Sequence, residues 1–318
     1  MTGSKFPQYK YPFETGHIEV GHKRQSKPTK IYYEKFGNGP KRALLVMGLS
    51  APCQAFSNQA EFLAETGEYT AIIFDNRGNG KSESPYGLYT TTQLAADALD
   101  LLDAFQWKDS VHLVGISLGG MISLEMAYMD VHRFLTLTLT STTAKRIIPT
   151  WTAVSSLAKI ALFYRDPRQK LMAAMDLVYP SDWLQQVPEN PELAKKYSTN
   201  RDKVTTSFIR HIRQSELQPL HGNIGQVSAC LRHSLSNERL ATLQKSNLSI
   251  MVVTGTNDHL VPPSSSYHLK ETLKPKRFEV FRGSGHNIPE EQTDRYNQLL
   301  LTHFSDIDPI SFNDGAKL

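Results

Sequence analysis

Apolar residues recur along this chain in two rhythms. Unbroken or alternating apolar runs occupy Ala43 to Met47, Tyr69 to Phe74, Val111 to Val114, Phe134 to Thr140, Leu248 to Gly255 and Arg277 to Phe281. Short runs bounded by turn residues predict strands, and the continuous ones predict strands buried on both faces of a parallel sheet. Between them the apolar positions shift to three- and four-residue spacing, as in Leu94, Ala95, Ala98, Leu101, Leu102 and Phe105 of the segment Thr91 to Trp107. That spacing puts one apolar stripe on a helix. Two further strands, His17 to His22 and Thr29 to Phe36, precede the turn Gly37-Asn38-Gly39-Pro40. Strands alternating with helices predict an α/β fold: a doubly wound, mostly parallel sheet of eight strands with helices on both faces.

The strand rhythm stops between Thr143 and Ser246. Helical patterns there cover Trp151 to Tyr164, Gln169 to Val178, Asp202 to Ser215 and Gly225 to Ser234, broken by prolines such as Pro167, Pro180 and Pro219. The expected organisation is a core of residues 1–142 and 247–318, interrupted by a helical insertion, 143–246. Trp151, Phe163, Tyr164, Met172, Met175 and Trp183 suit either packing of the insertion on its base or the lining of an acyl pocket.

The most informative stretch runs from Val111 to Met121 and reads as strand, sharp turn, helix. Its centre is Gly115-Ile116-Ser117-Leu118-Gly119, followed by Gly120. Gly-x-Ser-x-Gly at such a junction fits a nucleophile elbow, in which a strained backbone lifts the serine hydroxyl above the sheet. The pentapeptide alone also occurs in ordinary Gly/Ser turns. A buried strand before it and a helix opening with two glycines after it supply the context the motif requires. The free N–H groups of that helix start favour negative charge at the serine.

With these residues the chain resembles the α/β-hydrolase fold family, in its lid-bearing esterase and lipase branch, from about Thr29 to Phe304. The resemblance implies Ser117 as nucleophile. It implies an oxyanion hole from backbone N–H groups, one on Leu118 and one in Met47-Gly48-Leu49-Ser50, where Leu49 donates by position and Ser50 is the other option. Met47 stands where the family commonly has histidine, a departure that matters little for a main-chain donor. Asp75-Asn76-Arg77-Gly78-Asn79-Gly80-Lys81-Ser82 is similar to a structural turn of the family, Asp-x-Arg-Gly-x-Gly-x-Ser. Asp258, following the strand that ends at Gly255, is implied as the triad acid, although a plain helix N-cap fits the same place. His286, in Gly283-Ser284-Gly285-His286, matches the family's Gly-x-Gly-His loop.

The order serine, aspartate, histidine is that of the family, and all three follow strand C-terminal ends. A serine argues against the family's dehalogenases and epoxide hydrolases, which use aspartate. The implied lid is the insertion, and the implied activity is hydrolysis of carboxylic esters, lipid esters among them, through an acyl-enzyme that needs no cofactor and no metal. An acyl-CoA thioesterase or acyltransferase would use the same triad. A non-catalytic ligand receptor on this fold would have no need of all three residues.

Charge adds one asymmetry. Thirty-five Lys plus Arg against 31 Asp plus Glu give +4, which does not suggest nucleic acid. The insertion holds fifteen basic and eight acidic residues, a net of +7, leaving −3 for the rest. Solvated helix faces account for this, as does a basic rim for an acidic substrate or lipid surface. The glycine-rich turn lacks the Gly-Lys-Ser/Thr ending of a phosphate cradle, so nucleotide binding is rejected. Cys53 and Cys230 are expected as reduced thiols. No run of about 18 apolar residues exists to span a membrane, and Met1 to Lys10 lack the apolar region of a secretory signal. The expected location is intracellular. Ala316-Lys317-Leu318 resembles the Ser-Lys-Leu peroxisomal address, which would make an import receptor a partner, with cytoplasm as the other location.

Overall fold

A computed structural model describes residues 13–146 and 166–306. Among them one sheet contains β1 (Phe13–Val20), β2 (Thr29–Phe36), β3 (Lys41–Val46), β4 (Tyr69–Phe74), β5 (Val111–Ile116), β6 (Phe134–Thr140), β7 (Ser249–Gly255) and β8 (Arg277–Phe281). The spatial order is β1-β2-β4-β3-β5-β6-β7-β8. β2 runs antiparallel to β1 and β4, and every other neighbouring pair is parallel. The doubly wound, mostly parallel sheet expected from the sequence is therefore present.

The period of two along each central strand builds two cores at once. Leu44 and Val46 of β3, Val111 and Leu113 of β5, and Ile250 and Val252 of β7 point into one. Ala43 and Leu45, Val114 and Ile116, and Met251 and Val253 point into the other. The first is closed by α2 (Thr91–Ala104), α3 (Leu118–Met129), α9 (Asn237–Gln244) and α10 (Pro263–Leu273); the second by α1 (Ser57–Glu65) and α12 (Thr293–Ser305).

Boundaries shift where the backbone leaves regular geometry. β1 starts earlier than expected and stops at Val20, because Gly21 turns the chain at φ +84. α2 stops at Ala104, just ahead of Gln106 at φ +58. After β8 the chain closes on two helices, α11 (Ile288–Glu291) and α12, separated because Gln292 sits at φ −126 and ψ 49.

Between β6 and β7 every described element is a helix: α4 (Pro167–Val178), α5 (Ser181–Gln185), α6 (Pro191–Lys196), α7 (Asn200–Gln214), α8 (Leu220–Arg232) and α9. The expected helix Trp151 to Tyr164, with Trp151, Phe163 and Tyr164, and the tail Ala316-Lys317-Leu318 lie outside the described residues. Met175 and Trp183 pack with Tyr179, Leu184 and Val204 into a small core of their own, so those two hold the segment together. α8 begins before Gly225, where the pattern placed its start. Gly222 and Gly225 lie inside it because a Cβ on Gly222 would overlap the Gly78 carbonyl oxygen, and one on Gly225 would meet the Tyr89 ring. The two glycines let α8 press onto the glycine-rich turn. Cys53 and Cys230 are free thiols. Among the described residues no helix is long and apolar enough to cross a membrane.

That turn is anchored by a buried ion pair. Arg77, 1% exposed, engages Asp97 of α2 through two hydrogen bonds, one of them Nη2 to Oδ1 at 2.7 Å. Removing one partner of such a pair leaves an uncompensated buried charge. Asp97→Ala is expected to lower unfolding free energy by about 3–5 kcal/mol, read from denaturant melts. A loss below about 1 kcal/mol, the ceiling for a surface pair, would show that the pair does not anchor the turn.

Candidate active site

Ser117 occupies the junction between β5 and α3 with φ 56 and ψ −123, a left-handed φ that costs a non-glycine residue on the order of 1–3 kcal/mol. The glycines around it explain how the chain passes there. A Cβ on Gly119 would overlap the Val46 carbonyl oxygen, and one on Gly115 would collide with the Ser123 hydroxyl and Gly119 carbonyl. The Ser117 backbone is pinned on both sides. Its N–H donates to Thr140 O at 3.0 Å, and its carbonyl accepts from Gly120 N–H, Met121 N–H and the Thr142 hydroxyl. Although Ser117 is the N-cap residue of α3, its side chain makes no capping bond. The hydroxyl is left half-buried above the sheet.

The loop after β3 runs beside it. A Cβ built on Gly48 would stand 3.2 Å from Ser117 Cβ and 3.7 Å from Ser117 Oγ. Ser50 N–H donates to Gln226 Oε1 at 3.1 Å, so of the two donors left open by the sequence Ser50 is already engaged. Among the described residues neither Leu49 N–H nor Leu118 N–H has an acceptor. Two donors that are unpaired among the described residues are therefore present, one on the residue after Gly48 in the loop after β3 and one on the residue after Ser117 at the start of α3.

Asp258 and His286 come together at the ends of β7 and β8. Asp258 Oδ2 lies 2.8 Å from His286 Nδ1, while Oδ1 accepts Leu260 N–H and Val261 N–H, each at 2.9 Å. The N-cap of α10 is Pro262, so the plain capping role is not the one Asp258 takes. With Nδ1–H donating to the carboxylate, Nε2 is left as an acceptor. A Cβ on Gly255 would overlap the Ser284 and Gly285 carbonyl oxygens, which locks the two loops against each other. His286 N–H donates to Val178 O at 2.9 Å, tying the loop to the end of α4. Ser117 Oγ and His286 share no hydrogen bond here; such bonds are often long before substrate binds. The three candidates thus stand at the C-terminal ends of β5, β7 and β8, with Asp258 and His286 joined. Among the described residues no group of three or more His, Cys, Asp or Glu is placed to hold a metal ion.

A profile of the family described as alpha/beta hydrolase fold matches residues 44–293. The chain belongs to that family. As a hydrolase of this fold it is similar to 3-oxoadipate enol-lactonase 1 of Acinetobacter baylyi, at 23% identity over 83% of this chain and 89% of that protein. It is similar also to a putative carbamate hydrolase RutD of Azorhizobium caulinodans, at 24% identity over 87% of this chain and 96% of that protein. Among solved structures it resembles a thermophilic esterase from Thermogutta terrifontis, with a TM-score of 0.71 at 21% identity over 92% of this chain and 100% of that one. The enol-lactonase from Burkholderia xenovorans gives 0.72 at 19% identity, over 91% and 100%.

Two residues beside this hydrolase's candidate site escape a reading of the sequence. One is Gln226, which reaches Ser50 from α8. The other is Glu291, a buried side chain whose two oxygens accept the Gly285 N–H at 3.0 and 2.9 Å. Glu290 and Glu291 both look like solvated charges at a helix start, and only the short turn of α11 aims the second inward.

Burial raises the Glu291 carboxyl to about 7, against the pull of the Gly285 N–H. Raised above its unfolded value near 4.5, the group contributes stability that is complete below about pH 4.5 and lost as pH climbs through about 7. Buried His211, His233 and His303, held low by desolvation, tilt the whole protein the other way below about pH 6.5. The quantity to measure is therefore the difference from Glu291→Gln, which keeps the shape and removes the titration. Wild type minus variant is expected to fall by up to about 3 kcal/mol between pH 4.5 and 7.5 in denaturant melts; a flat difference would place the Glu291 carboxyl in the ordinary carboxylate range.

Proposed function

We propose that this chain is a serine hydrolase that cleaves carboxylic esters through an acyl-enzyme, with Ser117 as nucleophile, His286 as general base and acid, and Asp258 as the residue that orients the imidazole. The observation that carries the reading is the Asp258–His286 hydrogen bond at 2.8 Å, formed at the same end of the sheet as a strained serine whose side chain does no structural work. Ser117 Oγ attacks the carbonyl carbon as Nε2 takes its proton. Asp258 stabilises the imidazolium, and its charge is held in place by Leu260 and Val261 N–H. Leu49 and Leu118 N–H receive the oxyanion, each such donor contributing roughly 3–4 kcal/mol in comparable sites. The imidazolium then protonates the leaving alcohol, and water repeats the sequence on the acyl-enzyme.

The relatives support ester chemistry in particular: an enol-lactone is a cyclic carboxylic ester, and one structural neighbour is an esterase. The helical segment between β6 and β7 acts in this proposal as the lid that shapes the acyl pocket. Acyl transfer to an added alcohol or thiol would proceed from the same acyl-enzyme, and product analysis with and without the acceptor separates the two outcomes.

Labelling by a fluorescent fluorophosphonate, wild type beside Ser117→Ala and His286→Ala, tests the assignment together with turnover of p-nitrophenyl esters of increasing chain length. Wild type alone is expected to label, and Ser117→Ala to lose a factor on the order of 10⁴ or more in kcat. Full activity in folded Ser117→Ala would remove the reading.

A further inference from the structure

The geometry points to Gln226 as a positioning residue for the oxyanion donor at Leu49, so that a residue of the inserted segment keeps the core's catalytic loop in working shape. This rests on the serine-hydrolase reading above. The loop after β3 is held at three points. Asn76 Nδ2 donates to Met47 O at 3.0 Å, Cys53 N–H donates to Asp75 Oδ1 at 2.7 Å, and between them Gln226 Oε1 accepts Ser50 N–H at 3.1 Å. The first two anchors belong to the core. The third comes from α8.

The middle anchor is where the loop needs help. Ser50 has φ 57, a backbone state that a side chain makes costly, and its hydroxyl and N–H are both taken from α8, by Asn223 Nδ2 at 2.8 Å and by Gln226. The peptide plane of Leu49–Ser50 is thereby fixed next to Leu49, whose own N–H stays unpaired among the described residues. Releasing Ser50 would let the loop relax and turn the Leu49 N–H away from Ser117.

Gln226 is itself unable to choose another pose. It is fully buried, and its Nε2 donates to Arg77 O at 3.0 Å. A backbone N–H can only donate and a carbonyl can only accept, so the two partners fix which end of the amide faces which. Gln218 Nε2 adds a second donor to Oε1 at 3.1 Å. Through Arg77 the amide is referred to the buried Arg77–Asp97 pair, a rigid point of the core.

Gln226→Met keeps the length of the side chain and removes all three of its hydrogen bonds. For a short p-nitrophenyl ester kcat is expected to fall by about 10- to 100-fold with KM nearly unchanged, less than outright loss of a donor. Affinity for an alkyl trifluoromethyl ketone, whose hemiketal oxygen occupies the oxyanion position, should fall by the same factor as kcat/KM. A folded Gln226→Met with wild-type kcat, or a loss carried by KM alone, would overturn the inference. Where that variant does not fold, Asn223→Ala reads the same anchor through the Ser50 hydroxyl and decides in its place: a fall in kcat tracked by the ketone supports the inference, and an unchanged kcat removes it. Wild type that neither labels with fluorophosphonate nor turns over ester removes the hydrolase reading and this inference together; wild type that does both, beside an unaffected variant, removes this inference alone.

Discussion

The crossing of β5, β3 and α3 leaves no room for a side chain, and the remaining architecture follows from that constraint. Gly119 rests on the Val46 carbonyl and Gly120 on Thr142, so α3 enters the molecule in contact with the sheet backbone. From Leu118 to Ala127 the helix is buried at every position, without the polar stripe of a surface helix. Burial of that much apolar surface, on the order of 25 cal/mol per Å², offsets the few kcal/mol of strain at Ser117. The strain survives because the surrounding packing determines where both flanks of the turn must lie.

Around that fixed point the other candidates are delivered by loops that have little freedom of their own. Asp258 spends one carboxylate oxygen on two backbone N–H groups and the other on His286, so a charge buried to 3% exposure has its acceptors filled. The glycine pair at 255 and 285 brings the loops after β7 and β8 into backbone contact, and Glu291 holds the second from behind. Ordering of this kind keeps the imidazole oriented, which is what the proposed general-base role requires.

Much of this was legible in the sequence, and the divide has a physical basis. β2, β4, β6 and β8 fall on the residues that the continuous or alternating apolar pattern marks, because each pattern is bounded by turn residues where the strand stops. Ser117, Asp258 and His286 could be named because each lies in a local signature of glycines, or just beyond a buried strand. The proposed oxyanion donor on the loop after β3 could not be resolved in the same way. Leu49 and Ser50 differ there only through Gln226, 176 positions further along the chain. Gly222 and Gly225 look like helix breakers until their partners Gly78 and Tyr89 are known. Glu291 looks like its neighbour Glu290. In each case the deciding fact is a long-range contact, and no local pattern carries it.

The inserted segment is stitched to the core on both sides of the serine: by Val178 O, which accepts the His286 N–H, and by Gln226, which accepts the Ser50 N–H. Between those two stitches lie further ties, Lys203 Nζ to Glu290 O at 3.0 Å, Gln218 Nε2 to Gly78 O at 2.9 Å and Asn223 Nδ2 to the Ser50 hydroxyl at 2.8 Å. A segment borrowed from a relative would have to bring all of these partners in register, so the segment behaves less like an interchangeable cassette than like a plug cut for its own socket.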